Sequence, residues 1–307
     1  PNFALNHMTA PKLNCRSFLD LAASLGCIGV ELRNDLADKQ LTGAAFFDGD
    51  SPQAIGAYAR DKGLRLLGLS EAYGFNTWTE AMRDKVQLLI DQAKASGAES
   101  ISLIPRNDAP KWSDSERLAS LRQALAAILP MLDKADMTAL VEPLGFTTSS
   151  LRSKAETVEA IEAVGGTGRF KLVHDTFHHH LAGGGALFPE HTGIVHISGV
   201  VDPALGVDEM QDGHRILVDG ADRLGNIEQI KALLDAGYAG AFSYEPFSPL
   251  VHGFTDPEAA LRASKHAHMR RRLFDFRYWL IGTRQSPTHK TPVLNLAEKI
   301  RNVSFVI

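Results

Sequence analysis

The sequence predicts an α/β chain closed into a (β/α)8 TIM barrel, and three observations carry that prediction. Short apolar runs rich in Val, Ile, Leu and Phe alternate with helix-period segments from one end to the other. Eight such runs fall within roughly 260 residues, the size of a single closed barrel. Acidic groups and a histidine stand at the C-terminal ends of several runs, where barrel enzymes keep their chemistry.

The expected strands cover 3–8 (FALNHM), 28–33 (IGVELR), 64–70 (LRLLGLS), 100–105 (SISLIP), 138–143 (TALVEP), 171–175 (KLVHD), 194–198 (IVHIS) and 241–245 (AFSYE). SFLDLAASLG follows the first strand, with apolar residues at helical spacing and a Gly stop. WTEAMRDKVQLLIDQAKASGA and SDSERLASLRQALAAILPMLDKAD follow the third and fourth; the latter opens on a Ser/Asp cap with acids in its first turn. KAETVEAIEAVGG and GNIEQIKALLDAGYA end near Gly and complete the pattern. Alternating strand and helix implies right-handed βαβ units and a parallel sheet. An open dinucleotide-binding sheet would carry G-x-G-x-x-G between a strand and a helix, and Gly183-Gly184-Gly185 lacks that spacing.

Composition fits a globular protein, with 44% hydrophobic and 22% charged residues and a net charge of −4. That balance gives no reason to expect a nucleic acid partner. Two cysteines, Cys15 and Cys27, fit a reduced compartment better than a disulfide scaffold. No apolar run reaches the ~20 residues of a membrane helix, and no signal pattern opens the chain. A cytoplasmic enzyme acting on a small molecule, without nucleic acid or membrane, is the expectation. A homo-oligomer is compatible with it. Residues 1–269 are expected to form the catalytic barrel. Residues 270–307 form a basic extension: eight Lys/Arg stand against Asp275 and Glu298, a net of +6 that leaves −10 on the rest.

The strand ends then indicate the chemistry. Strand 2 ends at Glu31 and Arg33, strand 5 at Glu142 and strand 6 at Asp175; strand 7 offers His196 and strand 8 ends at Glu245. Neighbouring strands lie only ~4.8 Å apart, so four side chains on successive strands can converge on one ion. Three carboxylates and one imidazole suit a single divalent metal ion, Mn²⁺, Co²⁺, Mg²⁺ or Zn²⁺, and the absence of cysteine speaks against a structural zinc site. Such an ion stabilises an enediolate, with Glu142 and Glu245 facing each other as the acid/base pair. Isomerisation, epimerisation and dehydration beside a ketone are all open to that set. His179 and His180 are read as loop residues, and the glycines after them as slack at the rim.

VEPLGF, HDTFHHH, VHISGV and YEPF, in this order, resemble the xylose-isomerase-like barrel superfamily of sugar isomerases and epimerases. Among its members the likeness is to the 2-keto-myo-inositol (inosose) isomerases, over residues 3 to 268. The resemblance implies that Glu142, Asp175, His196 and Glu245 hold the ion and that His178 and Arg215 touch substrate oxygens. His7 and Glu31, at the ends of the first two strands, complete the candidate substrate contacts. The implied substrate is a sugar or inosose without phosphate, since no cluster for a phosphate stands out. Inosose dehydratase, a hydroxypyruvate-type isomerase and a ketose 3-epimerase use similar ligands. A metal-free sugar-binding protein and an apurinic/apyrimidinic endonuclease are the more distant readings. The endonuclease needs histidines at strands 3 and 4, which end LSEAY and IPRND. Relatives often carry Pro-Gly-x-Gly shortly after the arginine, where this chain reads RILVDGADRLGN.

Overall fold

In the computed structural model, which describes residues 1–266, eight parallel strands close into a barrel in chain order. They are β1 (Asn2–Asn6), β2 (Gly29–Arg33), β3 (Arg65–Tyr73), β4 (Ser100–Ile104), β5 (Thr138–Val141), β6 (Phe170–Asp175), β7 (Thr192–Ile197) and β8 (Ala241–Tyr244), with β8 paired back to β1. Around them run α1 (Cys15–Ser24), α2 (Pro52–Asp61), α3 (Glu80–Ser96), α4 (Asp114–Ala135), α5 (Lys154–Ala163), the short α6 (Thr176–Leu181), α7 (Asn226–Asp235) and α8 (Pro249–His252). Residues 257–266 form a last helix. The basic segment 270–307 lies outside the described residues.

All eight expected strands are present, and so are the five expected helices. The cap before α4 takes the form its sequence suggests: Ser113 Oγ accepts from the Glu116 N–H at 3.3 Å, and Glu116 accepts from the Ser113 N–H at 2.8 Å. Four helices among the described residues were not expected: α2, α6, α8 and the last one. α2 has a central glycine that weakens its propensity, but Ser51 caps it and Pro52 starts it. The histidine run, expected as loop, is α6. Asp175 caps it by accepting from the His178 N–H at 2.9 Å. Gly183, Gly184 and Gly185 then take φ of 87°, 80° and 104°, a left-handed turn that side chains oppose.

The period-2 alternation of strands sets the inside of the barrel. Ala4, Leu67, Leu140, Val173, Ile194 and Ala241 form one buried apolar layer. Two residues further along, Glu142, Asp175, His196 and Ser243 come to the next layer on the same face, and Glu245 to the one after. The larger core lies between strands and helices, around Phe18, Leu32, Leu69, Ile101, Leu125 and Phe170.

α2 packs against α3 through Gly56, where a Cβ would clash with the Ser96 carbonyl oxygen. Gly56→Ala is therefore expected to lower stability by about 1–3 kcal/mol despite its better helix propensity. The midpoint of urea unfolding checks this.

Candidate metal centre and active site

Glu142 and Glu245 lie one residue beyond their strands, yet the barrel ladder carries them. The Glu142 N–H donates to Leu103 O at 3.2 Å and the Glu245 N–H to Ile197 O at 3.0 Å. Asp175 and His196 are register partners in β6 and β7. One donor atom from each of Glu142, Asp175, His196 and Glu245 lies within 4.8 Å of the other three, and all four residues are buried. Donors around one ion at ~2.1 Å stand about 3–4 Å apart, so the spacing suits a single divalent cation.

The imidazole decides the fit. His196 Nε2 lies 3.0 and 3.2 Å from the two Glu31 oxygens, so it carries the hydrogen and donates. Nδ1 is buried and without a hydrogen-bond partner. It faces Glu245 Oε2 at 3.1 Å, Glu142 Oε1 at 3.7 Å and Asp175 Oδ2 at 4.0 Å. Burial alone would lower the imidazole, but the charges of Glu245 and Glu31 outweigh it and raise it well above its ordinary value. Three carboxylate oxygens around Nδ1 thus call for a positive charge, a proton there or a cation in its place. The residues present fit a divalent ion. Glu31 also accepts from Ser243 Oγ at 2.6 Å and is fully buried. Its place is behind His196, where it fixes the tautomer.

Two arginines hold the carboxylates apart. Arg215 Nη2 donates to Asp175 Oδ2 at 2.6 Å and to Glu245 Oε2 at 3.0 Å. Its Nε donates to Ser198 Oγ at 3.0 Å and its Nη1 to Asp212 at 3.1 Å. Arg33 Nη1 donates to Glu245 Oε1 at 2.8 Å while its Nε and Nη2 grip Asp35 at 2.9 and 2.7 Å. The Phe247 ring covers both guanidinium groups, 4.5 Å from Arg215 and 5.7 Å from Arg33. Burial alone would raise the Glu245 carboxyl; the charges of His196, Arg215 and Arg33 outweigh it and hold the group well below the usual range. Glu142 goes the other way, raised by burial and by the neighbouring Glu245 charge.

A cavity of 280 Å³ opens above these groups, near the lower end of small-molecule sites. Glu142, His178, Arg215 and Glu245 line it, with Glu71, Tyr73, Phe146 and Phe247 around them. His178 Nδ1 accepts from the Gly145 N–H at 3.1 Å, so its Nε2–H faces the cavity, 4.0 Å from Glu142 Oε1. The expected substrate contacts thus divide. His178 and Arg215 line the cavity; His7 and Glu31 do not. His7 stacks on Phe18 at 4.3 Å and bonds Leu13 O at 2.8 Å, and burial pulls its imidazole down to about 4. In this structure both lie outside the cavity lining and support the site's walls.

Sequence reasoning passed over Arg33, which stood beside Glu31 at a strand end and gave that much signal. Phe247, two residues after Glu245, gave none.

Residues 19–272 match the model of the xylose isomerase-like TIM barrel family. The chain belongs to that family. Among solved structures it is similar to a xylose isomerase domain-containing protein of Salmonella typhimurium LT2, at 29% identity over 89% of this chain and 97% of that one, with a TM-score of 0.78. It also resembles the IOLI protein with a bound zinc atom (20%, 86% and 96%, TM-score 0.75). A third is the D-psicose 3-epimerase of Clostridium cellulolyticum H10 with D-tagatose (15%, 87% and 99%, TM-score 0.61). At those identities the last two speak for the fold alone. No curated protein matches in sequence. Among the described residues no helix is long and apolar enough to cross a membrane.

Replacing Glu31 by Leu keeps its bulk and removes the acceptor behind His196. Affinity for Mn²⁺ or Zn²⁺ is expected to fall by about 10–100-fold, as read by competition with a chelator.

Proposed function

We propose that the protein is a metal-dependent isomerase of an unphosphorylated cyclic polyol ketone or ketose, with inosose isomerisation as the leading case. The observation that carries this reading is the unpartnered His196 Nδ1 among Glu142, Asp175 and Glu245 beneath a small polar cavity. A divalent ion held by those four residues would supply a Lewis acid to the substrate's carbonyl and neighbouring hydroxyl oxygens.

The chain's own residues do the rest. Glu142 and Glu245 flank the imidazole at 3.7 and 3.1 Å. One takes the proton from the carbon beside the carbonyl, and the other delivers a proton to the adjacent carbon. The His178 Nε2–H donates a hydrogen bond to a substrate oxygen. Phe146 and Phe247 give the cavity apolar walls that limit water at the reacting carbons.

Charge pairing in the cavity supports a neutral substrate. Each cation lining it is already matched: Arg33 to Asp35 and Glu245, Arg215 to Asp175 and Glu245, and Lys39 to Asp35 at 3.3 Å. A phosphate there would compete with buried carboxylates for the same donors. The same atoms would serve a 3-epimerase, which differs in delivering a proton to the opposite face of the carbon that lost one. Cytoplasmic location and inositol catabolism follow from this reading as part of the proposal.

The test supplies the full chain with Mn²⁺, Co²⁺, Mg²⁺ or Zn²⁺ and offers inososes and free ketoses in D2O. Deuterium should enter the carbon beside the carbonyl, and the product should separate isomerisation from epimerisation. Glu245→Gln is expected to slow exchange by about 100-fold or more. No metal uptake and no exchange into any of these substrates would overturn the reading.

A further inference from the structure

A second cavity, of 330 Å³, has the opposite charge pattern. Arg152, Ser153, Lys154, His179 and a single carboxylate, Asp175, line it, and His178 is common to both cavities. Its cations have no carboxylate partner. Arg152 donates only to carbonyls, from Nε and Nη2 to Gly145 O at 3.0 and 2.8 Å and from Nη2 to Leu181 O at 3.2 Å. Lys154 Nζ lies 2.7 Å from His174 Nδ1, and His174 Nε2 lies 2.8 Å from Gln229 Oε1. The Gln oxygen only accepts, so Nε2 carries the hydrogen and Lys154 donates to Nδ1. That uses one of its N–H bonds.

The nearest acid on the same helix is directed elsewhere: Glu156 holds Arg117 at 2.8 and 2.9 Å. Burial with nothing to offset it pulls the Lys154 ammonium down to about 7. The cavity also meets the start of α5, ten residues long, whose first N–H groups at Lys154 and Ala155 have no intrahelical partner. A half-buried lysine, an arginine bonded only to carbonyls and a helix N-terminus therefore converge on one space, and its one carboxylate, Asp175, is bonded to the His178 N–H and to Arg215 instead.

We propose that this cavity binds a small oxyanion, a carboxylate or phosphate group, through Arg152, Lys154 and the first turn of α5. The bound group sits beside α6, whose cap is Asp175 and whose His178 faces the other cavity. The site stands on its own geometry and does not depend on the isomerase reading.

Calorimetric titration of the metal-loaded full chain with inorganic phosphate, and in a second arm with succinate, tests the proposal. One anion per chain is expected to bind saturably. Arg152→Gln and Lys154→Gln should each weaken binding by about tenfold or more, and Lys154→Arg should retain it. Metal uptake, measured in the same variants, should be unchanged and so report an intact barrel. Competition by a ketose that exchanges would mark the anion as the far end of a substrate; independence would mark a separate ligand. No saturable binding in either arm, or equal affinity in all variants, as for phosphate held on the metal alone, would overturn the site.

Discussion

The structure depends on how it neutralises carboxylates gathered inside one barrel mouth. Glu31, Glu142, Asp175 and Glu245 are all buried, and an ionised carboxylate costs several kcal/mol to remove from water unless it is matched. Arg33 and Arg215 supply fixed positive charge on one side, and His196 joins Glu31 behind to the other three in front. The frame still gathers three carboxylate oxygens around Nδ1, which bonds to none of them. A divalent ion in place of the Nδ1 proton would balance those oxygens, so the site's electrostatics and its proposed chemistry ask for positive charge in the same place.

Much of this was legible because a strand repeats every two residues. Leu140, Val173, Ile194 and Ala241 form the apolar floor, and one period later the sequence reads Glu142, Asp175, His196 and Ser243. Once eight strands were expected, four polar residues at matching heights on neighbouring strands were bound to meet. Arg215 and Glu31 were harder. Arg215 lies in a loop, and only the folded chain shows it fully buried against Asp175 and Glu245. Glu31 carries a strand-end charge like the others. Its position one layer behind His196 is set by the packing of β2 against the barrel axis, which alternation alone does not give.

The histidine run shows the same limit from another side. HDTFHHH reads as a rich ligand source, but its geometry is that of a helix capped by Asp175. One carboxylate oxygen caps that helix and the other meets Arg215. His178 then faces the metal cavity, while His179 turns to the second one, its ring centroid 4.8 Å from that of His174 and tilted to it. α6 thus divides a cavity whose cations are matched from one whose cations are not. The first suits a neutral polyol and the second an anion.

Anomalous diffraction from crystals of the Mn²⁺- or Zn²⁺-loaded chain, measured at the metal's absorption edge, tests the account most directly. It predicts one strong peak among Glu142, Asp175, His196 and Glu245, with His196 coordinating through Nδ1 and Glu31 still on Nε2. A loaded protein with no peak there, or with the ion bound elsewhere, would contradict it.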